Sequence, residues 1–173
     1  MYSIDPLAKD EVLPLAGMPQ SSIGAPCPVV IADESNLAIA FYLESRDDKW
    51  DGTSVRVVGP ETGGEPFAMV TFKRARAYFH GPPNDEAFSG HPLAKRGLTP
   101  YGAFEIKHSS WLQYLMNMNR VHRYHHDRHF ADDRHFILTF HDSTFECIAK
   151  GYDLATGVGS LRFAMNKMIE GMK

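Results

Sequence analysis

The stretch "HFILTFHDSTFECIAK", residues 135–150, consists of two apolar alternations separated by a short polar turn. Alternation at period two marks half-buried strands, and two such runs flanking Asp142 and Ser143 read as a β-hairpin. With the turn at those two residues, or spread over residues 141–144, Phe140 pairs with Phe145 and Leu138 with Cys147. That register gathers Phe136, Leu138, Phe140, Phe145, Cys147 and Ala149 on one face, the expected core. The opposite face then carries Thr139, His141, Thr144 and Glu146 near the turn, with Ile137 and Ile148 farther along.

The rest of the chain extends this antiparallel pattern. Residues 28–45, "PVVIADESNLAIAFYLES", read as another hairpin with its turn at 33–36. Ala38, Ala40 and Tyr42 alternate with Leu37, Ile39 and Phe41, so that strand is expected to be covered on both sides. After a polar turn at 46–54, "VRVVG" (55–59) reads as a short strand and "FAMVTFKRARAYFH" (67–80) as one long strand. Residues 81–99 show no regular element beyond a turn of helix near 85–88, and loops of that length are usually binding segments, lids or disorder. "YGAFEIKH" (101–108) is a strand with Phe104 and Ile106 inward.

Ser109 or Ser110 is placed to cap the helix that follows, in which Trp111, Leu115, Met118 and His122 recur at helical spacing. The final residues form a helix with Leu161, Ala164, Met165, Met168 and Met172 on one face. Phe163 lies opposite, an isolated surface residue or part of a homodimer contact. Residues 1–27 carry Pro6, Pro14, Pro19 and Pro26 and read as an irregular, Pro-rich N-terminal arm. Residues 28–173 are then a single α+β domain: a mainly antiparallel curved sheet of about six or seven strands with two helices packed on it.

The 173 residues fit one domain, and 43% hydrophobic with 23% charged residues is a globular composition. No apolar run approaches the ~20 residues of a membrane span and no secretory signal is present, so the expected location is the cytoplasm. A net charge of −3 gives no general attraction for nucleic acid, which is disfavoured as a partner. Cys27 and Cys147 belong to no metal or redox pattern and read as free thiols.

Three groups could carry chemistry. His141 and Glu146 share the outer face of the first hairpin, where a carboxylate can orient an imidazole as base or metal ligand. The 81–99 loop adds Asp85, Glu86 and His91, the last held between Gly90 and Pro92. Arg74, Arg76, Tyr78 and His80, with Phe72, fall on one face of the long strand and suit an anion. Five of the nine histidines lie between residues 122 and 135. His122 and His126 have a chelating spacing, but no HExxH motif is present and the neighbouring arginines oppose a dication, so they are weaker metal candidates than His91, His141 and Glu146.

"NDEAFSGHPLAKRGL" (84–98), "SSW" (109–111) and "FHDSTFECIA" (140–149) resemble an uncharacterised bacterial protein family with no assigned function, over residues 28–150. The resemblance implies a bacterial cytosolic source and supplies no activity, cofactor or site residue. Two functions stand open. The favoured one is a cytosolic binding or interaction protein using the 81–99 loop and the basic-aromatic strand face, with a protein or small-molecule ligand or another copy of itself. The other is a small-molecule enzyme, a metal-assisted hydrolase with His91, His141 and Glu146 as base or ligands and Asp85 or Glu86 assisting. A divalent metal is allowed but not favoured.

Overall fold

A computed structural model describes residues 4–45, 53 and 56–172. In chain order its strands are β1 (Glu11–Pro14), β2 (Val29–Ala32), β3 (Leu37–Tyr42), β4 (Glu65–Lys73), β5 (Ala77–Gly81), β6 (Ala103–Lys107), β7 (Arg134–Thr139), β8 (Thr144–Ala149) and β9 (Gly151–Gly159). The helices are α1 (Ser110–Asn119) and α2 (Leu161–Gly171). The fold is α+β and antiparallel, but the strands divide between two sheets, ordered β1-β6-β7-β8-β5 and β2-β3-β4-β9.

The division originates in "FAMVTFKRARAYFH". Its alternation suggests one strand, yet Arg74 adopts a left-handed conformation, φ 52°, and the chain leaves the four-stranded sheet to enter the five-stranded one at Ala77. The single strand face expected to carry Arg74, Arg76, Tyr78 and His80 together therefore does not form. Phe72 is buried in the core, Arg74 is exposed at the crossing, and only Tyr78 and His80 share a face of β5. Arg76 turns instead to Asp133, to the His129 carbonyl and to the face of the Phe130 ring, 4.2 Å away.

The sheets pack face to face. Leu37, Ile39, Phe41, Ala68, Val70 and Phe72 meet Phe136, Leu138, Phe140, Phe145, Cys147 and Ala149, the face expected of the 135–150 hairpin. The register differs from expectation by two residues. Thr139 faces Thr144 and Leu138 faces Phe145, leaving residues 140–143 as the connection, closed by the Phe140 N–H to the Ser143 carbonyl at 2.8 Å. A shift of two keeps every side chain on its face and changes only its cross-strand neighbour.

Each sheet is also covered on its outer side. Ala38, Ala40, Tyr42 and Phe67 pack under Leu161, Ala164 and Met168 of α2, as its spacing predicts. β9 was not expected from sequence; its Gly157 admits the Phe67 ring, since a Cβ there would lie 2.6 Å from Phe67 Cζ. Over the five-stranded sheet, the 81–99 segment makes short 3-10 turns at Phe88–Gly90 and Ala94–Arg96 and presses Phe88, Leu93 and Leu98 onto Phe104, Ile106 and Ile137. It is a plug rather than an open loop.

The first 27 residues are less irregular than expected. β1 pairs with β6, Ser21 bridges Leu43, and Asp10 accepts the Ser110 N–H and hydroxyl at 2.7 and 2.6 Å. Residues 56–59 form no strand; Val55 and all of the 46–54 turn except Thr53 lie outside the described residues.

Ser109 caps α1, accepting the Leu112 N–H at 3.1 Å. The helix stops at Asn119, so the stripe never reaches His122, which is exposed. None of its residues is buried.

Candidate functional site

Glu146 lies on the outer face of β8 beneath the plug. His91 Nδ1 accepts the Leu93 N–H at 3.1 Å, which leaves its proton on Nε2 to donate to Glu146 Oε1 at 3.0 Å. The other carboxylate oxygen lies 2.9 Å from His135 Nε2, and His135 Nδ1 lies 2.9 Å from Ser109 Oγ. One assignment of protons satisfies these bonds: Ser109 donates to His135, and both imidazoles donate to an ionised Glu146. His91, His135, Glu146 and Ser109 are 3, 1, 1 and 6% exposed. Burial works against the Glu146 charge, yet the hydrogen bonds from His135 and His91 outweigh it and hold the carboxyl below its usual range. The edge of the Trp111 ring system closes over His135 at 5.1 Å between ring centres.

A second group sits at the rim of the same sheet. His141 Nδ1 lies 3.0 Å from both Asp85 Oδ2 and the Tyr101 hydroxyl, and that hydroxyl also donates to Asp85. The Asp85 N–H donates to the His141 carbonyl at 3.0 Å, which ties the plug to the hairpin turn. Here the His141 side chain is 42% exposed, with Nε2 turned from this cluster and 4.0 Å from Asp142. The Tyr101 hydrogen bond lowers Asp85, and the same bond pushes Tyr101 up to about 12.

The sequence candidates thus fall into two separate groups. His91 joins Glu146, whereas His141 joins Asp85, and Glu86 contributes only a backbone N–H to Asp85. Among the described residues no three His, Cys, Asp or Glu side chains gather as a metal-binding group. His80 is 3.2 Å from the Ser143 hydroxyl, and burial lowers its pKa. His122 bonds the Tyr124 N–H, and His126 meets the His129 ring edge-on at 5.6 Å, outside either group.

Sequence reasoning missed His135, Ser109 and Tyr101 as members. The register explains the first. Pairing Phe140 with Phe145 makes His141 the diagonal neighbour of Glu146, while the observed pairing of Ile137 with Glu146 makes His135 that neighbour. A two-residue slip along the hairpin exchanges one imidazole for another. Ser109 was recognised as a cap, and nothing in its spacing reveals the second bond.

α1 and the turn that follows it form a third region. Tyr114, Met118, Val121 and Tyr124 are 57, 56, 93 and 62% exposed. Arg123 lies over the Tyr124 ring at 4.4 Å; Arg120 pairs with Asp127, whose carboxyl Arg120 and His125 hold down at about 2. Beneath the helix runs a groove of about 990 Å³ bounded by residues 105–110, 127 and 130–134.

No described helix is long and apolar enough to cross a membrane. No family model matches the chain, and neither a curated protein nor a solved structure matches it.

Proposed function

We propose that the chain is a cytosolic binding protein whose contact surface is α1 and the arginine- and histidine-rich turn after it, and whose partner is an acidic protein surface. The observation that carries this reading is the exposure of Tyr114, Met118, Val121 and Tyr124 on and just beyond a helix with no buried residue. Large apolar side chains clustered at a surface mark contact sites more often than single ones do. Interfaces are enriched in Tyr, Met and Arg and depleted in Lys. This segment fits that composition, with no lysine between Lys107 and Lys150.

Charge selects the partner. Arg123 and Arg128 make no ion pair among the described residues, so carboxylates of a partner have cations to meet. The 81–99 segment, by contrast, spends its apolar residues on the sheet beneath it. Neither His141 nor Asp85 lines the groove under α1 or the smaller one beside Tyr101 and Phe104.

Selection of a displayed random peptide library on the wild type, with counter-selection on the Arg123→Glu/Tyr124→Ala variant, tests this. Enriched peptides are expected to carry Asp or Glu around an apolar anchor and to bind the variant at least tenfold more weakly, on the order of 1.4 kcal/mol. No enrichment, or equal binding to the variant, sinks the reading. A concentration-dependent dimer that the variant abolishes replaces the acidic partner with a second copy and overturns this choice.

A further inference from the structure

Ser109 does more than a cap requires. A cap needs only an oxygen to accept a helix N–H, and Ser109 Oγ provides that for Leu112. The same oxygen is 2.9 Å from His135 Nδ1, while His135 Nε2 is 2.9 Å from Glu146 Oε2. A hydroxyl bonded to an imidazole whose far nitrogen is held by a carboxylate is the arrangement that raises serine nucleophilicity. Relative to the usual triad the two ring nitrogens exchange places, which leaves the proton path intact.

Two further observations agree. β6 ends at Lys107, His108 is left-handed with φ 53°, and α1 begins at Ser110, so Ser109 stands in a sharp strand-to-helix turn. Turns of that kind present nucleophiles at the start of a helix, and strained non-glycine residues cluster at functional sites. Ser109 is also on the wall of the 990 Å³ groove, beside Leu112, Met116, Phe130 and Arg134, a volume that accommodates a small organic ligand.

We infer that Ser109, His135 and Glu146 form a serine acyl-transfer site for small carboxylic esters that enter through the groove under α1. Ser109 Oγ attacks the ester carbonyl while its proton passes to His135 Nδ1. The tetrahedral adduct collapses, the C–O bond to the alcohol breaks, and His135 returns the proton to the departing alkoxide. Water then adds to the acyl-serine, again giving its proton to His135, and the acid leaves as Ser109 recovers its hydroxyl. Glu146 keeps its charge throughout and holds the ring; it is a positioning residue. Asp10 occupies the Ser110 N–H and brings a carboxylate to the start of α1, close to where the oxyanion of both steps develops, so acylation and deacylation are both expected to be slow.

The test is covalent labelling of the native full chain with an alkyl fluorophosphonate, followed by intact mass and peptide mapping. A single adduct on Ser109 is expected, at least tenfold faster than in heat-denatured protein. Ser109→Asn keeps a cap acceptor, and its melting curve verifies folding; it should take no label. An unlabelled native protein, an adduct elsewhere, or equal labelling of Ser109→Asn overturns the inference. None of these outcomes depends on the α1 partner, so either reading can fail alone.

Discussion

The molecule builds two clusters from the same parts: a carboxylate, histidine and a hydroxyl. In one, Glu146 lies between His91 and His135 with Ser109 beyond, all nine-tenths or more buried. In the other, Asp85 is joined by His141 and Tyr101 at the rim, with His141 42% exposed. The bond lengths are alike, near 3 Å, so geometry alone does not separate them. Water does. A buried carboxylate without its donors faces several kcal/mol of desolvation, whereas a rim carboxylate simply returns to solvent. The inner cluster is therefore a requirement of folding as well as a candidate for chemistry, and the outer one is dispensable to the fold.

The largest effect should come from Glu146→Leu, which keeps the volume and removes both acceptors. His91 cannot adapt, because the Leu93 N–H fixes its proton on Nε2. Stability is expected to fall by about 3–5 kcal/mol in chemical denaturation, because two hydrogen bonds to a charged group, about 1.5–3 kcal/mol each, are lost and the His91 N–H is left buried without an acceptor. Glu146→Gln should cost clearly less, on the order of 1–2 kcal/mol, because His135 can donate to Ser109 from Nδ1 and accept from the new amide. Equal losses for Leu and Gln would contradict the proton assignment.

The sequence made half of this comparison legible. The hairpin faces, the α2 stripe and the Ser109 cap follow from spacing and residue type, and His91, Glu146, Asp85 and His141 stand out there as candidates. Side-chain period is blind to a slip of two, so His141 stood where His135 belongs. It is also blind to a strand that changes sheets, which joined Phe72 to Tyr78 on one imagined face. The burial of the 81–99 segment lay beyond reach for another reason. Phe88, Leu93 and Leu98 have no strand or helix period, and their common target joins Phe104 and Ile106 of β6 to Ile137 of β7, a pairing that residue spacing does not give.

An acid titration of stability is next in size. The folded Glu146 carboxyl lies below its ordinary value of 4.5, so its contribution is complete above that pH and is lost as pH falls through the folded value. The stability gap between wild type and Glu146→Gln should narrow below pH 4.5 and stay constant from pH 5 to 6. Melting curves across that range measure it; a gap independent of pH would mean that Glu146 is not the ionised partner. Asp85→Asn, in contrast, should melt within about 3 °C of wild type near neutrality, because the amide oxygen still accepts from the Tyr101 hydroxyl at a rim that water reaches. A drop as large as that of Glu146→Leu would erase the distinction between rim and interior.

The smallest effect is the most specific to the rim. Tyr101 donates to Asp85, and loss of its proton would set a phenolate against that carboxylate, which pushes the tyrosine up to about 12. The sign follows: an unfolded tyrosine ionises near its ordinary value of 10, so the Tyr101 contribution is complete below pH 10 and fades as pH rises toward 12. With seven tyrosines in the chain, the difference between wild type and Tyr101→Phe in ultraviolet titration isolates this one. A midpoint well above 10 is expected, returning toward 10 in Asp85→Asn, because the amide removes the charge that opposes phenolate. If Tyr101 titrates near 10 in the wild type, the rim cluster does not persist in solution, and His141 is an ordinary surface histidine with nothing to orient it.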